Sequence, residues 1–188
     1  MSDSTVTDVT AVRALAHPVR LAILDVLQTG GSATATECAQ EVDESPQTCS
    51  YHLRTLAKSG FVRRVESDDA RETRWELVRK SLALSTSSSS APAFLAAATA
   101  LQRQVLARDE RAVTEFLERE AEFDEEWQEA ATFTSGTLVL NAAELEQVRA
   151  EVARVLKRFE ARKRRPAGAR RVHVVFRAVP RVERKGRK

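Results

Sequence analysis

Between Ala14 and Leu77 the apolar residues recur first at helical and then at strand spacing, with turn residues at each change of period. Val9 to Leu15 reads as a short first helix. Pro18 can open the next, because a first-turn residue needs no N–H. Val19, Ile23, Val26 and Leu27, with Leu24 beside them, then form one apolar stripe, which Gly30-Gly31 ends. Thr34 with Glu37 three residues later has capping-box spacing for a third helix. Ser45 followed by Pro46 is a second clean start, and Cys49, Leu53 and Leu56 recur at i, i+4, i+7 on a face to be buried. Gly60 stops that helix. Phe61 to Glu66 and Thr73 to Leu77 have strand character, with Ser67 to Ala70 as the turn between them. The order is helix, turn, helix, tight turn, helix, β ribbon: a winged helix-turn-helix over residues 8–80.

Beyond a Ser-rich joint at 81–93 (STSSSS, then Pro92) the pattern changes. Phe94 to about Ala131 reads as one helix, with Ala98, Leu101, Val105, Ala112, Phe116, Phe123 and Trp127 recurring at sums of three and four. At 1.5 Å per residue it would be roughly 55 Å long, more than a small core can cover, so a partner helix is expected. Thr137 to Leu140 (TLVL) and Arg171 to Val179 (RVHVVFRAV) read as strands. Between them Asn141, with Glu144 at N3, caps a helix lined by Leu145, Val148, Val152, Val155, Leu156 and Phe159. The expected fold class is therefore mainly α (α+β). It joins the winged domain to a helical dimerisation or effector region at 94–180, with a small α+β unit, and a basic tail at 181–188.

A chain of 188 residues has room for a sizeable core in one or two domains. The net charge of +3 is too small to mark nucleic-acid binding by itself. Arg outnumbers Lys 24 to 6 and Ala and Val abound, the usage expected of a GC-rich genome. Two cysteines at helical apolar positions, Cys38 and Cys49, fit a reducing cytoplasm better than a disulfide framework. Met1 to Thr7 is polar and expected to fray, with no signal peptide in view. No apolar run approaches the ~20 residues of a membrane span.

The chemistry sits on the Ser45–Lys58 helix. With Cys49, Leu53 and Leu56 inward, the opposite face shows Gln47, Thr48, Ser50, Tyr51 and Arg54. Gln can bond an adenine edge in bidentate fashion and Arg a guanine, while Thr and Ser reach base edges or phosphate. Tyr51 offers a ring to a thymine methyl and a hydroxyl to phosphate. The early positions Gln47, Thr48, Ser50 and Tyr51 are assigned to bases, and Arg54 to base or phosphate. His52 either touches a phosphate or holds the turn. Arg71 and Arg74 flank the wing tip, where arginine can enter a minor groove or neutralise phosphate. The alternative is an ordinary solvated helix face, and the preceding turn and the wing argue against it. His17 and Arg20 are read as organising the first two helices.

The segments ALAHPVRLAIL, ESPQTCSYHLRTLAKSGFVRR and RWEL resemble, in order and spacing, the ArsR-like winged-helix transcription regulators, over about residues 11–80. The resemblance implies sequence-specific binding of double-stranded DNA by a homodimer at a pseudo-palindromic operator. Some such regulators bind thiophilic metals through cysteines on the helix before the reading helix, and here Thr34 and Thr36 stand in that region. None of the three histidines, His17, His52 and His173, falls between Phe94 and Arg165, where others use His and carboxylates. No metal or other cofactor is expected, and a thiol switch is a minor alternative to Cys38 and Cys49 as core residues.

An enzyme is not expected either: the chain lacks a Gly-rich phosphate loop, a G-x-S-x-G elbow and an H-E-x-x-H pair. Charge is segregated in the second half, net −6 over 81–133 and net +11 over 134–188. The two regions can attract each other, or the basic one can add non-specific DNA affinity. That pattern also keeps open a second class of function, a winged-helix docking module for a protein partner without specific DNA binding. No membrane partner is expected, and no effector ligand is named by any residue.

Overall fold

The computed structural model describes residues 5–6, 8–65, 72–78, 83–84, 91–160, 162, 164 and 166–182. The chain divides into two compact units, Met1–Val113 and Thr114–Lys188.

In the first unit, β1 (Thr5–Val6) is followed by α1 (Val9–Leu15) and α2 (Pro18–Gly30), then β2 (Ser32–Thr34), α3 (Ala35–Val42) and α4 (Pro46–Lys58). The ribbon β3 (Val62–Val65) and β4 (Arg74–Leu77), the short β5 (Ala83–Leu84) and most of α5 (Pro92–Arg119) complete it. The helix boundaries follow the local chemistry. Asp8 caps α1 by accepting from the Ala11 N–H at 2.9 Å. Gly31 ends α2 at φ +83°, a backbone state that disfavours a side chain. Thr34 and Glu37 form the full reciprocal capping box at the start of α3. Ser45 Oγ accepts from the Thr48 N–H at 3.0 Å, with Pro46 at the first helical position of α4. Gly60, at φ +74°, lets the chain reverse into β3.

The sheet has an order the sequence did not announce. β4 is its central strand, antiparallel to β3 on one side and to β2 on the other, with Ala33 opposite Trp75. β2 was missed because three residues between a glycine and a helix cap show no alternation. β1 and β5 pair in parallel, so part of the segment expected to fray is tied down at Thr5–Val6.

The core is built from Val12 and Leu15 of α1, Ile23 and Leu27 of α2, Cys38 of α3, and Cys49, Leu53 and Leu56 of α4. Phe61, Val62 and Trp75 close it from the ribbon, and Phe94, Ala98 and Leu101 from α5. Arg20 donates to the carbonyls of Ala14 and Arg13, so it holds the carboxyl end of α1 against α2. The winged helix-turn-helix and the mainly helical architecture are as the sequence predicts. The wing-tip turn Ser67 to Ala70, Arg71, the Ser-rich stretch 85–90 and the tail from residue 183 lie outside the described residues.

The long helix is shorter than its periodicity suggests. α5 begins at Pro92 and ends at Arg119, 28 residues or about 42 Å. A 3-10 turn (Glu120–Glu122) follows, Phe123 is extended, and a separate short helix α6 (Glu125–Ala130) begins after Asp124. Glu118, Glu120 and Glu122 crowd the negative end of the helix dipole, where acids disfavour further turns. The break also returns the Phe123 ring to within 5.4 Å of Phe116, and the Gln128 side-chain amide donates to the Phe123 carbonyl at 2.7 Å.

In the second unit α7 (Ala142–Glu160) is capped as predicted, Asn141 accepting from the Ala143 and Glu144 N–H groups while Glu144 accepts from the Asn141 N–H. The two predicted strands are not formed. Thr137 to Leu140 and Arg171 to Val179 run as irregular backbone, and the described residues of this unit form no ladder. Alternation alone does not make a strand, because its N–H and C=O groups need a neighbour to pair with. Among the described residues no helix is long and apolar enough to cross a membrane.

Candidate nucleic-acid interface

α4 turns Cys49, Leu53 and Leu56 fully into the core, which leaves the opposite side of the helix to water. Gln47, Tyr51 and Arg54 are exposed there, and Ser50 and Thr48 are half-buried beside them. The Thr48 hydroxyl bonds Ser45 Oγ at 2.8 Å, so it helps to fix the helix start. Tyr51 is 64% exposed, a large ring kept in solvent on a helix whose other face is sealed. These side chains span hydrogen-bond donors, acceptors and an apolar ring, the mixture that reads base edges.

His52 does not share that face. It is only 6% exposed and packs at a tilt against His17, the N-cap residue of α2, with ring centroids 4.5 Å apart. Neither Nδ1 has a hydrogen-bond partner. Burial lowers both imidazole pKa values from the usual 6.5, with Arg20 adding to it for His17, and His17 and then Arg20 for His52; Glu44 opposes the shift in both. The Tyr51 ring lies edge-on against His52 at 5.2 Å. A row of three rings therefore runs from the start of α2 through α4 to the exposed face, and it fixes where Tyr51 stands.

Arg74 is also drawn away from the face. Its guanidinium bonds both carboxylate oxygens of Glu37, at 3.0 and 3.2 Å, and the Ser32 carbonyl at 3.1 Å. It ties β4 to β2 and to the start of α3. The Glu37 carboxyl, bonded by the Thr34 N–H and then by Arg74, is held below the usual carboxylate range. Arg71, expected at the wing tip, lies outside the described residues.

Arg64 was missed as a site residue. It stands directly across the ladder from Trp75, and its guanidinium carbon lies 5.2 Å from the Trp75 ring centroid. Arg64, Arg54, Ser50, Thr36 and Thr73 all line a groove between α4, the start of α3 and the ribbon. An arginine at the ladder position opposite a strand tryptophan is the signal that could have found it.

The cysteines are not part of this surface. Cys38 and Cys49 are free thiols with no exposure, and burial pushes the Cys38 pKa up to about 12. Among the described residues no group of three or more His, Cys, Asp or Glu is placed to hold a metal ion.

The comparisons with known proteins bear on the same region. A family profile described as a helix-turn-helix domain matches residues 15–65, just over a quarter of the chain. No curated protein matches it. Among solved structures, the chain is similar to the Zalpha domain of Carassius auratus PKZ in complex with Z-DNA, 27% identical over 31% of this chain and 90% of that one, with a TM-score of 0.28. It is also similar to the adhesin competence repressor AdcR of Streptococcus pyogenes, 18% identical over 76% of this chain and 80% of that one, with a TM-score of 0.34. A double mutant of Lactococcus lactis ZitR in its apo form is 16% identical over 77% of this chain and 83% of that one, with a TM-score of 0.35. All three scores mark partial likenesses and say nothing of what this chain binds. The chain carries a helix-turn-helix domain over residues 15–65.

Proposed function

We propose that this protein is a sequence-specific DNA-binding transcriptional regulator that works as a homodimer on a pseudo-palindromic operator. The observation that carries the reading is the outer face of α4: Gln47, Tyr51 and Arg54 in solvent with the half-buried Ser50 beside them, on a helix braced from behind by a sealed core. Such a helix enters the major groove, with one copy per half-site and half-sites about 34–36 Å apart. Gln47, Ser50 and Tyr51 contact bases, and Arg54 takes a guanine or a phosphate. Thr48 supports the helix start, and the inward His52 and the tied Arg74 act by positioning the reading helix and the ribbon. A second copy is supported by apolar side chains left in water along α5, namely Leu106, Val113 and Leu117. In the second unit α7 has no buried residue, and its Val155 and Phe159 are exposed.

The test is fluorescence-anisotropy binding of the full chain to the DNA upstream of its own gene and to a scrambled duplex, at two salt concentrations. Selective binding that weakens steeply with salt supports the reading. Equal, weak binding to both duplexes overturns it and favours a protein-docking module.

A further inference from the structure

The groove between α4, the start of α3 and the β3–β4 ribbon has a volume of about 230 Å3. Two arginines from different elements line it, Arg54 from α4 and Arg64 from β3, with the hydroxyl residues Thr36, Ser50 and Thr73 around them. Arg64 lies over the buried Trp75 ring, its guanidinium carbon 5.2 Å from the ring centroid. A guanidinium placed over an aromatic ring keeps N–H donors for another partner. Other arginines of the ribbon have acidic partners: Arg63 is paired with Glu76 and Arg74 with Glu37. Among the described residues Arg54 and Arg64 form no ion pair. Glu72, exposed, also lines the groove and opposes an anion there.

We propose that this groove seats one backbone phosphate of the bound DNA. In it Arg64 and Arg54 supply the charge and Thr36 and Thr73 the neutral donors. Two cations and hydroxyl groups around a small polar space suit a phosphodiester oxygen. The strand running beside a major groove read by α4 brings a phosphate to this side of the helix. Contacts of this kind set register and carry no sequence information of their own. Arg64 is thus a phosphate-contact residue that adds affinity to every sequence alike and leaves the reading of bases to Gln47 and Tyr51. This inference rests on the DNA-reading function proposed above.

The experiment is anisotropy binding of wild type, Arg64→Gln and Glu72→Gln to the upstream duplex from 50 to 200 mM salt. Circular dichroism first checks that the variants fold; Arg64 and Glu72 are both exposed. One phosphate contact contributes about 0.9 to the slope of log K against log salt, which is about 3.5-fold across that range. Arg64→Gln is expected to flatten the slope by that amount per subunit while the preference for the upstream over the scrambled duplex is retained. Glu72→Gln is expected to tighten binding to both duplexes alike.

An unchanged slope in Arg64→Gln, with wild type still selective, overturns the phosphate seat and leaves the DNA reading standing. Wild type without DNA affinity overturns the DNA reading itself. A second arm titrates inorganic phosphate at constant ionic strength and follows Trp75 fluorescence in a Trp127→Phe background. Saturable quenching lost in Arg64→Gln, in a protein that binds no DNA, assigns the groove to a free anion and overturns the DNA phosphate as its occupant.

Discussion

The two faces of α4 make opposite predictions, and two substitutions separate them. Leu53 has no exposed surface and Tyr51 is 64% exposed. They are two residues apart, about 200° around the helix. Leu53→Ala removes three buried carbons, about 2.4 kcal/mol at ~0.8 kcal/mol for each. The cavity term brings the expected loss to about 3–5 kcal/mol. Against a domain stability of about 5–15 kcal/mol, that variant folds at low temperature with a much lower urea midpoint. Once folded it keeps its reading face, so its preference for the upstream duplex is unchanged. Tyr51→Ala does the reverse. Its stability change stays within about 1 kcal/mol, mostly the edge contact with His52. Its preference for the operator falls by about 1–3 kcal/mol, roughly 5- to 150-fold. Urea unfolding and duplex-competition anisotropy on both variants read the two quantities independently. If Tyr51→Ala unfolds as early as Leu53→Ala and retains full selectivity, the assignment of faces on α4 is wrong.

Acid should destabilise the first unit through the His17–His52 pair. Burial disfavours their charged forms in the fold, so the unfolded chain binds more protons as pH drops through about 6.5, and stability is lost from there downward. The urea midpoint should therefore be lower at pH 5.5 than at pH 7.5 by more in wild type than in His52→Gln, and equal shifts in the two proteins would exclude the pair as the cause. Thr34→Ala removes the side-chain half of the capping box and should cost about 1 kcal/mol in thermal or urea unfolding. Cys38, buried with a thiol pKa of about 12, should react with a thiol reagent at pH 8 only after unfolding; stoichiometric labelling of the native protein at that residue would contradict its place in the core.

The first unit was legible because its signals are local and redundant. Pro18, Thr34–Glu37, Ser45–Pro46 and Gly60 mark boundaries through bonds made within four residues, and each stands where the sequence places it. The inward trio Cys49, Leu53 and Leu56 fixed the outward face by subtraction. What local pattern leaves open there is of a different kind. His52 and Arg74 are polar residues at positions compatible with the surface, and their tertiary partners, His17 and Glu37, lie 35 and 37 residues away. No periodicity encodes such a pairing, and only the fold brings it about. Arg64 was overlooked for the same reason, since its role depends on Trp75 across a hairpin.

The second unit shows what periodicity leaves out. A stripe at sums of three and four was continuous from Ala98 to Trp127, yet the helix stops at Arg119. The stripe records which residues seek apolar company, not whether a straight helix supplies it. Phe116 and Phe123 are seven residues apart, about 10.5 Å along a continuous helix, and the break brings their ring centroids to 5.4 Å. Here the acids at 118, 120 and 122 decide against continuing. The segments 137–140 and 171–179 fail on the other side of the same logic. Val139 and Val174 have the side chains of a strand, but a ladder needs a second backbone at about 4.8 Å, and sequence alternation says nothing of its presence. Both residues stay largely in water, at 99% and 59% exposure. What the sequence specified in this half was the chemistry of the surfaces, and what it could not specify was the neighbour each surface requires.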